Sequence, residues 1–244
     1  MSEVWLFAGP TLLRAQAMEP TLSLQGIAVL PPIGRGDLPR LLRSLPAGSS
    51  ATTTLVLVDG LFHLRLAVGH AEIRAALDAG FRVFGLSSMG AIRAREMAVL
   101  GMEGFGEVYR LYCQPEVDFR DDEVTLLHDP EPPYRELSEP LLHLRAALDD
   151  LVQQRLLPAE VAAGVLDKLS RTWFGDRTLP ALRALLQSHG LVGSQLAAID
   201  DRLANFDRYR VKALDLIAFL QTRPDRQPRG ETLPLQRRAA ASSE

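Results

Sequence analysis

Apolar and polar positions fall into two textures along this chain. In the first half, short unbroken apolar runs end in glycine, proline or small polar residues. Val4 to Ala8 closes at Gly9-Pro10-Thr11, Gly26 to Leu30 at Pro31-Pro32, Thr54 to Val58 at Asp59-Gly60, and Arg82 to Leu86 at Ser87-Ser88. Runs without polar alternation are those of strands covered on both faces, so four parallel strands are predicted. Helical periods lie between them. Glu72 to Ala79 sets Ile73, Ala76 and Leu77 on one face and stops at Gly80, Asp37 opens a second helix with Pro39 in its first turn, and Ser88-Met89-Gly90-Ala91 opens a third that runs to Leu100. Strands alternating with helices predict an α/β fold, a mainly parallel sheet flanked by helices.

From about Glu139 the pattern becomes Leu/Ala-rich and helical, interrupted at Pro158, Gly175 and Pro180 and ending near Leu220. A helical C-terminal subdomain is expected there. Thr222 to Glu244 carries too few apolar residues to pack and reads as a disordered tail. The expected division is an α/β core over 1–130, a helical subdomain over 131–221 and a tail over 222–244.

Composition narrows the function classes. The net charge of -3 over 244 residues provides no basic field for nucleic acid. The single cysteine, Cys113, excludes an intramolecular disulfide framework and reads as a packing residue. The opening residues have no basic n-region, and no apolar run approaches the roughly 20 residues of a spanning helix. A cytoplasmic protein with no membrane partner is expected. The acidic cluster Asp118, Asp121, Asp122 and Glu123 reads as solvated charge rather than a cation site, and neither a metal nor a cofactor is expected.

In an open α/β sheet, ligands bind beyond the carboxyl ends of the strands, and the informative residues fall there. Ser88 sits between a buried run and a helix start, two residues before Gly90, as in a nucleophile elbow. Such a turn aims a hydroxyl outward, with the Met89 amide as an oxyanion donor; the plainer reading is that Ser87 or Ser88 caps the helix. His70 is the nearest base by topology, or else an exposed or capping residue. Asp59 either orients a base or forms an Asp-Gly turn. Arg35, between two glycines, either meets an anion in bidentate fashion or is solvated, and Glu72 either joins the site or complements a helix dipole. The catalytic candidates are therefore Ser88, His70, Ser87 and Asp59, and the substrate-binding candidates Thr11, Arg35, Glu72, Met89 and Arg93.

Several segments in succession resemble the TfuA-like family core. They are Gly9-Pro10-Thr11, Pro31 to Leu38, Val58-Asp59-Gly60-Leu61-Phe62, Val68 to Ile73, Gly85 to Ala94, Gly101 to Gly106 and Asp121 to Val124, a resemblance spanning roughly residues 4 to 127. It implies a partner of YcaO enzymes, which activate a peptide amide with ATP so that sulfur replaces its oxygen in thioamidation of ribosomally synthesised peptides. It further implies a hydrolase-like serine and lysine site that releases sulfide from a thiocarboxylated, ubiquitin-like sulfur-carrier protein, and recruitment of the precursor peptide. This chain departs from the pattern at one point. The family's lysine falls where Ala71 stands, and the only lysines are Lys168 and Lys212 in the helical half. Either His70 replaces the base, a C-terminal lysine folds back, or the protein is a noncatalytic adaptor that binds YcaO and its substrate. Arginine is no substitute because its guanidinium stays protonated.

Overall fold

The computed structural model describes residues 3–46, 48–61, 65–115 and 120–228. Asp118 of the acidic cluster, Phe62 and the segment 229–244 of the expected tail lie outside the described residues.

Among the described residues five strands form one parallel sheet: β1 (Glu3–Phe7), β2 (Ile27–Leu30), β3 (Thr53–Leu57), β4 (Arg82–Leu86) and β5 (Glu103–Phe105), in the order β2-β1-β3-β4-β5. The α/β class is as the patterning predicts. The fifth strand is not among the four predicted, because its three residues are half-buried at a sheet edge and include Gly104, too short a run for periodicity to register. It is held by Arg82, whose Nε and Nη2 each donate to a Glu103 carboxylate oxygen at 2.7 Å.

Side chains alternate across the pleat, so each strand feeds two cores. On one face Val4, Leu6, Val56, Val58, Phe84 and Leu86 pack against α1 (Pro10–Met18). On the other, Phe7, Leu55, Leu57 and Val83 pack against α2 (Asp37–Ser44), α3 (His70–Asp78) and α4 (Met89–Met97). The chain leaves β1 toward β2 and then returns past it to β3, so successive right-handed crossovers fall on opposite faces. A crevice opens between β1 and β3, where the winding reverses.

α4 comes unusually close to the sheet. A Cβ on Gly90 would overlap the Leu57 carbonyl oxygen, one on Gly85 would overlap the Gly90 carbonyl, and the Gly90 N–H donates to Val58 O at 3.1 Å. The two glycines flanking Ser87 and Ser88 thus serve the approach of the helix to the strands.

After α5 (Gly106–Tyr112), four helices build a separate apolar cluster around Leu144, Leu148, Val165, Leu182 and Ile199: α6 (Leu141–Gln153), α7 (Ala159–Arg171), α8 (Leu179–Ser188) and α9 (Gly193–Leu203). The stretch read as one helical unit divides at this point. α10 (Val211–Thr222) returns to the sheet, where Ala213, Leu216, Phe219 and Leu220 join the face already covered by α1. Its Asp215 carboxylate accepts the Glu107 and Val108 amides at 2.8 and 2.9 Å, taking up the orphan donors of α5. Residues 222–228, read as the start of the tail, continue this docking: Arg82 Nη1 donates to the carbonyls of Asp225 at 3.1 Å and Gln227 at 2.6 Å. Cys113 is exposed just past α5 rather than packed, since the apolar face of that short helix is supplied by Val108.

Phe219 is fully buried and meets the rings of Phe84 and Phe105 edge-on, each at 5.3 Å between centroids. Phe219→Ala is expected to cost about 3–5 kcal/mol in urea unfolding monitored by far-ultraviolet circular dichroism. A loss confined to a few tenths would mean that α10 is only loosely laid on the sheet.

Candidate functional site

The site is built where the carboxyl ends of β1, β3 and β4 meet. Asp59, just after β3, is buried, and its Oδ2 accepts the amides of Gly9 at 2.9 Å and Thr11 at 3.0 Å, while Oδ1 accepts the Thr11 hydroxyl at 2.6 Å. A carboxylate from one strand end therefore satisfies the N-terminus of the helix after its neighbour. Asp59 thus makes contacts well beyond its own Asp-Gly turn. Thr11 is its partner at the floor of the crevice.

The loop after β4 is strained. Ser87 has φ 65°, and the Ser88 N–H donates to Leu86 O at 2.7 Å across it, a tight three-residue turn. A non-glycine residue held there costs on the order of 1–3 kcal/mol. The elbow residue by backbone is thus Ser87, two residues after Gly85, while Ser88 is the serine that lines the cavity. Neither caps α4 in the ordinary way: Ser88 at the N-cap makes no side-chain capping bond, and Ser87 Oγ is buried without a hydrogen-bond partner. Met89 is buried, its side chain lying against Gly60, where a Cβ would collide with it.

Over this floor lies a cavity of about 530 Å³. Asp59, Ser88, His128 and Lys212 are its polar lining residues, and Leu61, Val124, Leu126, Trp173 and Phe174 contribute apolar wall. Lys212, in the first turn of α10, is 2% exposed, and its Nζ donates to Val124 O at 3.0 Å. Burial pushes the amine below its usual range, against the opposing pull of Asp59, Glu136 and Glu139. The positive end of α10 acts in the same direction as burial. Lys168, by contrast, is exposed on α7.

The wall is held by Arg177. Its buried guanidinium donates Nε to Leu169 O at 3.0 Å, Nη1 to Asp122 O at 3.1 Å and Nη2 to the Asp122 carboxylate at 2.7 Å, tying the Trp173-Phe174 turn to the strip before Val124. Glu123 pairs with Arg145 at 2.6 Å. Asp122 and Glu123 are thus engaged in ion pairs rather than solvated, and among the described residues no group of three or more His, Cys, Asp or Glu side chains is placed to hold a metal.

The remaining expected residues stand apart from the cavity. His70 is exposed, with Nε2 2.7 Å from a Glu96 carboxylate oxygen, and is not among the residues lining the cavity; the amine that does line it is that of Lys212. Position 71 is exposed on the same helix. Arg93 donates Nε to Val68 O at 3.0 Å and Nη1 to Glu96 at 2.5 Å, so it braces α3 against α4. Arg35 is exposed at the same end of the sheet, and Glu72 accepts the Gly36 amide at 3.0 Å, closing the neighbouring loop. His128, Trp173, Phe174 and Lys212 are among the lining residues that local patterning left unassigned to the site. Of these only Lys212 carried a signal, as one of two lysines in the chain.

Fold and cavity define a doubly wound α/β protein with a serine, a carboxylate and a buried lysine at its switch point. The family model described as TfuA-like protein matches residues 59–178, which supports placing the chain with that family. The match takes in the serine loop and the Trp173-Phe174 turn, and it extends past residue 127 into the helical half. Comparison with curated proteins found no match. Among the described residues no helix is long and apolar enough to cross a membrane.

The depressed Lys212 amine has a consequence for stability. Between its folded pKa and the ordinary 10.5, the unfolded chain binds a proton that the folded chain does not, so stability rises with pH through that window. Below it the penalty is complete. Lys212→Met is expected to flatten this slope in urea melts taken at stepwise alkaline pH, and equal slopes in both proteins would show that the amine is not depressed.

Proposed function

We propose that this protein is a hydrolase-like, TfuA-like partner of a YcaO enzyme, releasing sulfide from a thiocarboxylated sulfur-carrier protein with Ser88 as nucleophile and Lys212 as base. The observation that carries the reading is the return of α10, which brings a buried amine to the cavity that Ser88 lines. A serine hydroxyl needs a positioned base near neutral pH, and a desolvated lysine provides one. The position of the family lysine, Ala71, then need not hold an amine, because the base comes from the other end of the chain.

In this reading the neutral Lys212 Nζ takes the Ser88 proton as Oγ bonds to the thiocarboxylate carbon. The oxyanion that forms is met by the Met89 amide at the first position of α4. Collapse breaks the carbon–sulfur bond, and the Lys212 ammonium returns its proton to sulfur, so hydrosulfide leaves and an acyl-serine ester remains. Water, deprotonated by the same amine, then hydrolyses the ester to the carrier carboxylate. Asp59 supplies the compensating negative charge beside Lys212, and the three hydrogen bonds it accepts hold it in place. The apolar walls keep bulk water from the amine. The precursor peptide and the YcaO enzyme are the remaining partners of this reading, and the released sulfide is what the YcaO reaction consumes.

Single-turnover sulfide release from a thiocarboxylated ubiquitin-like carrier tests it. Ser88→Ala is expected to abolish release, Lys212→Met to lower it about 10²- to 10⁴-fold, and His70→Ala to leave it unchanged. Release that survives Ser88→Ala would overturn the serine assignment. No release from the wild-type protein, together with tight YcaO binding, would favour the adaptor role over hydrolysis.

A further inference from the structure

The backbone amide of Lys212 is one of the orphan donors of the first turn of α10, and it is buried, so it requires an acceptor. α6 supplies it. His143, 1% exposed, accepts the Lys212 N–H through Nε2 at 3.4 Å, a long bond, and its Nδ1 stands 3.0 Å from a Glu139 carboxylate oxygen. A carboxylate accepts, so Nδ1 carries the ring proton, which leaves the Nε2 lone pair for the amide. Glu139 is fixed in turn by Arg210, the N-cap residue of α10, which also pairs with Asp207. One chain of contacts thus runs from Arg210 through Glu139 and His143 back to Lys212, two residues after its start.

We propose that His143 is a positioning residue for the Lys212 amine: its unprotonated Nε2 holds the first turn of α10, and so the side chain that turn carries, against the cavity. This rests on the reading of Lys212 as the base. Protonated His143 would set an N–H against an N–H and place a second positive charge beside the amine. The surroundings oppose that state. Burial, with the charges of Lys212 and Arg210, pushes His143 below its usual range despite the Glu139 hydrogen bond. For Glu139 burial acts upward, but the bond from His143 and the Arg210 guanidinium outweigh it and keep the carboxylate low. The charged groups facing Lys212 from its neighbours are Asp59 after β3, Glu136 and Glu139 before α6, His143 of α6 and Arg210. Glu136 is itself paired with Arg14 of α1 at 2.8 Å.

The test uses two substitutions and two readouts. Glutamine at 143 keeps an acceptor near the Nε2 position, and leucine keeps bulk without one. Because the chain has only two lysines, carbon-13 labelling of lysine yields two side-chain titrations, with exposed Lys168 as the internal reference. In the wild type and in His143→Gln, Lys212 is expected to titrate below Lys168. In His143→Leu its titration moves up toward that of Lys168, and the rising limb of the sulfide-release pH profile moves up with it while the rate falls on the order of 10²-fold. A His143→Leu protein with an unmoved Lys212 titration overturns the proposal. So does a His143→Gln protein in which the low titration is lost, and this arm decides the matter if the leucine variant does not fold. Should the wild type release no sulfide, the hydrolase reading fails, while the lysine titrations still decide the role of His143.

Discussion

The Asp59 carboxylate is the interaction on which the site is arranged. It leaves β3 at the point where the winding of the sheet reverses and accepts two amides and a hydroxyl from the turn that begins α1. Loops at a switch point diverge, and a crevice there has no backbone ladder of its own to close it. One buried carboxylate, bonded by Gly9 and Thr11, joins the two sides and leaves a fixed negative charge at the bottom. With Glu136 and Glu139, that charge opposes the burial penalty on the Lys212 amine.

The second constraint is the closeness of α4 to the sheet. Gly85 and Gly90 let the helix start directly on β3 and β4, which forces the chain through a positive-φ turn at Ser87 and presents Ser88 to the cavity. Strain of this kind persists where surrounding contacts over-determine the backbone. Here they are the Gly90 amide on Val58 O, the Met89 side chain against Gly60, and the apolar packing of Met89 and Ala94.

The helical half does more than cover the molecule. Arg177 fastens one wall of the cavity, α6 contributes His143, and α10 carries Lys212 back to the sheet while its Asp215 completes α5. Phe219 anchors that return between two sheet phenylalanines. A polar floor assembled from both ends of the chain under an apolar wall is a setting in which a lysine can be a base rather than a surface charge.

Local pattern determined much of this protein. Unbroken apolar runs marked four of five strands, their ends marked the loops that carry Thr11, Asp59, Ser87 and Ser88, and glycine spacing around the serines marked a tight turn. Those features depend on neighbours in sequence, where periodicity and turn chemistry act. Where His70 stands relative to the cavity was not legible, because its place at a helix start is local but its pairing with Glu96, away from the lining residues, is not. Lys212 was visible as one of two lysines, either of which could fold back to the site. Its burial depends on which sheet face α10 covers, and an amphipathic stripe states that a helix must be covered without stating by what. That choice is made by side chains far apart in sequence, Phe84 and Phe105 on the sheet, Glu139 before α6 and His143 on it, and so only the tertiary structure decided that the amine would line the same cavity as the serine.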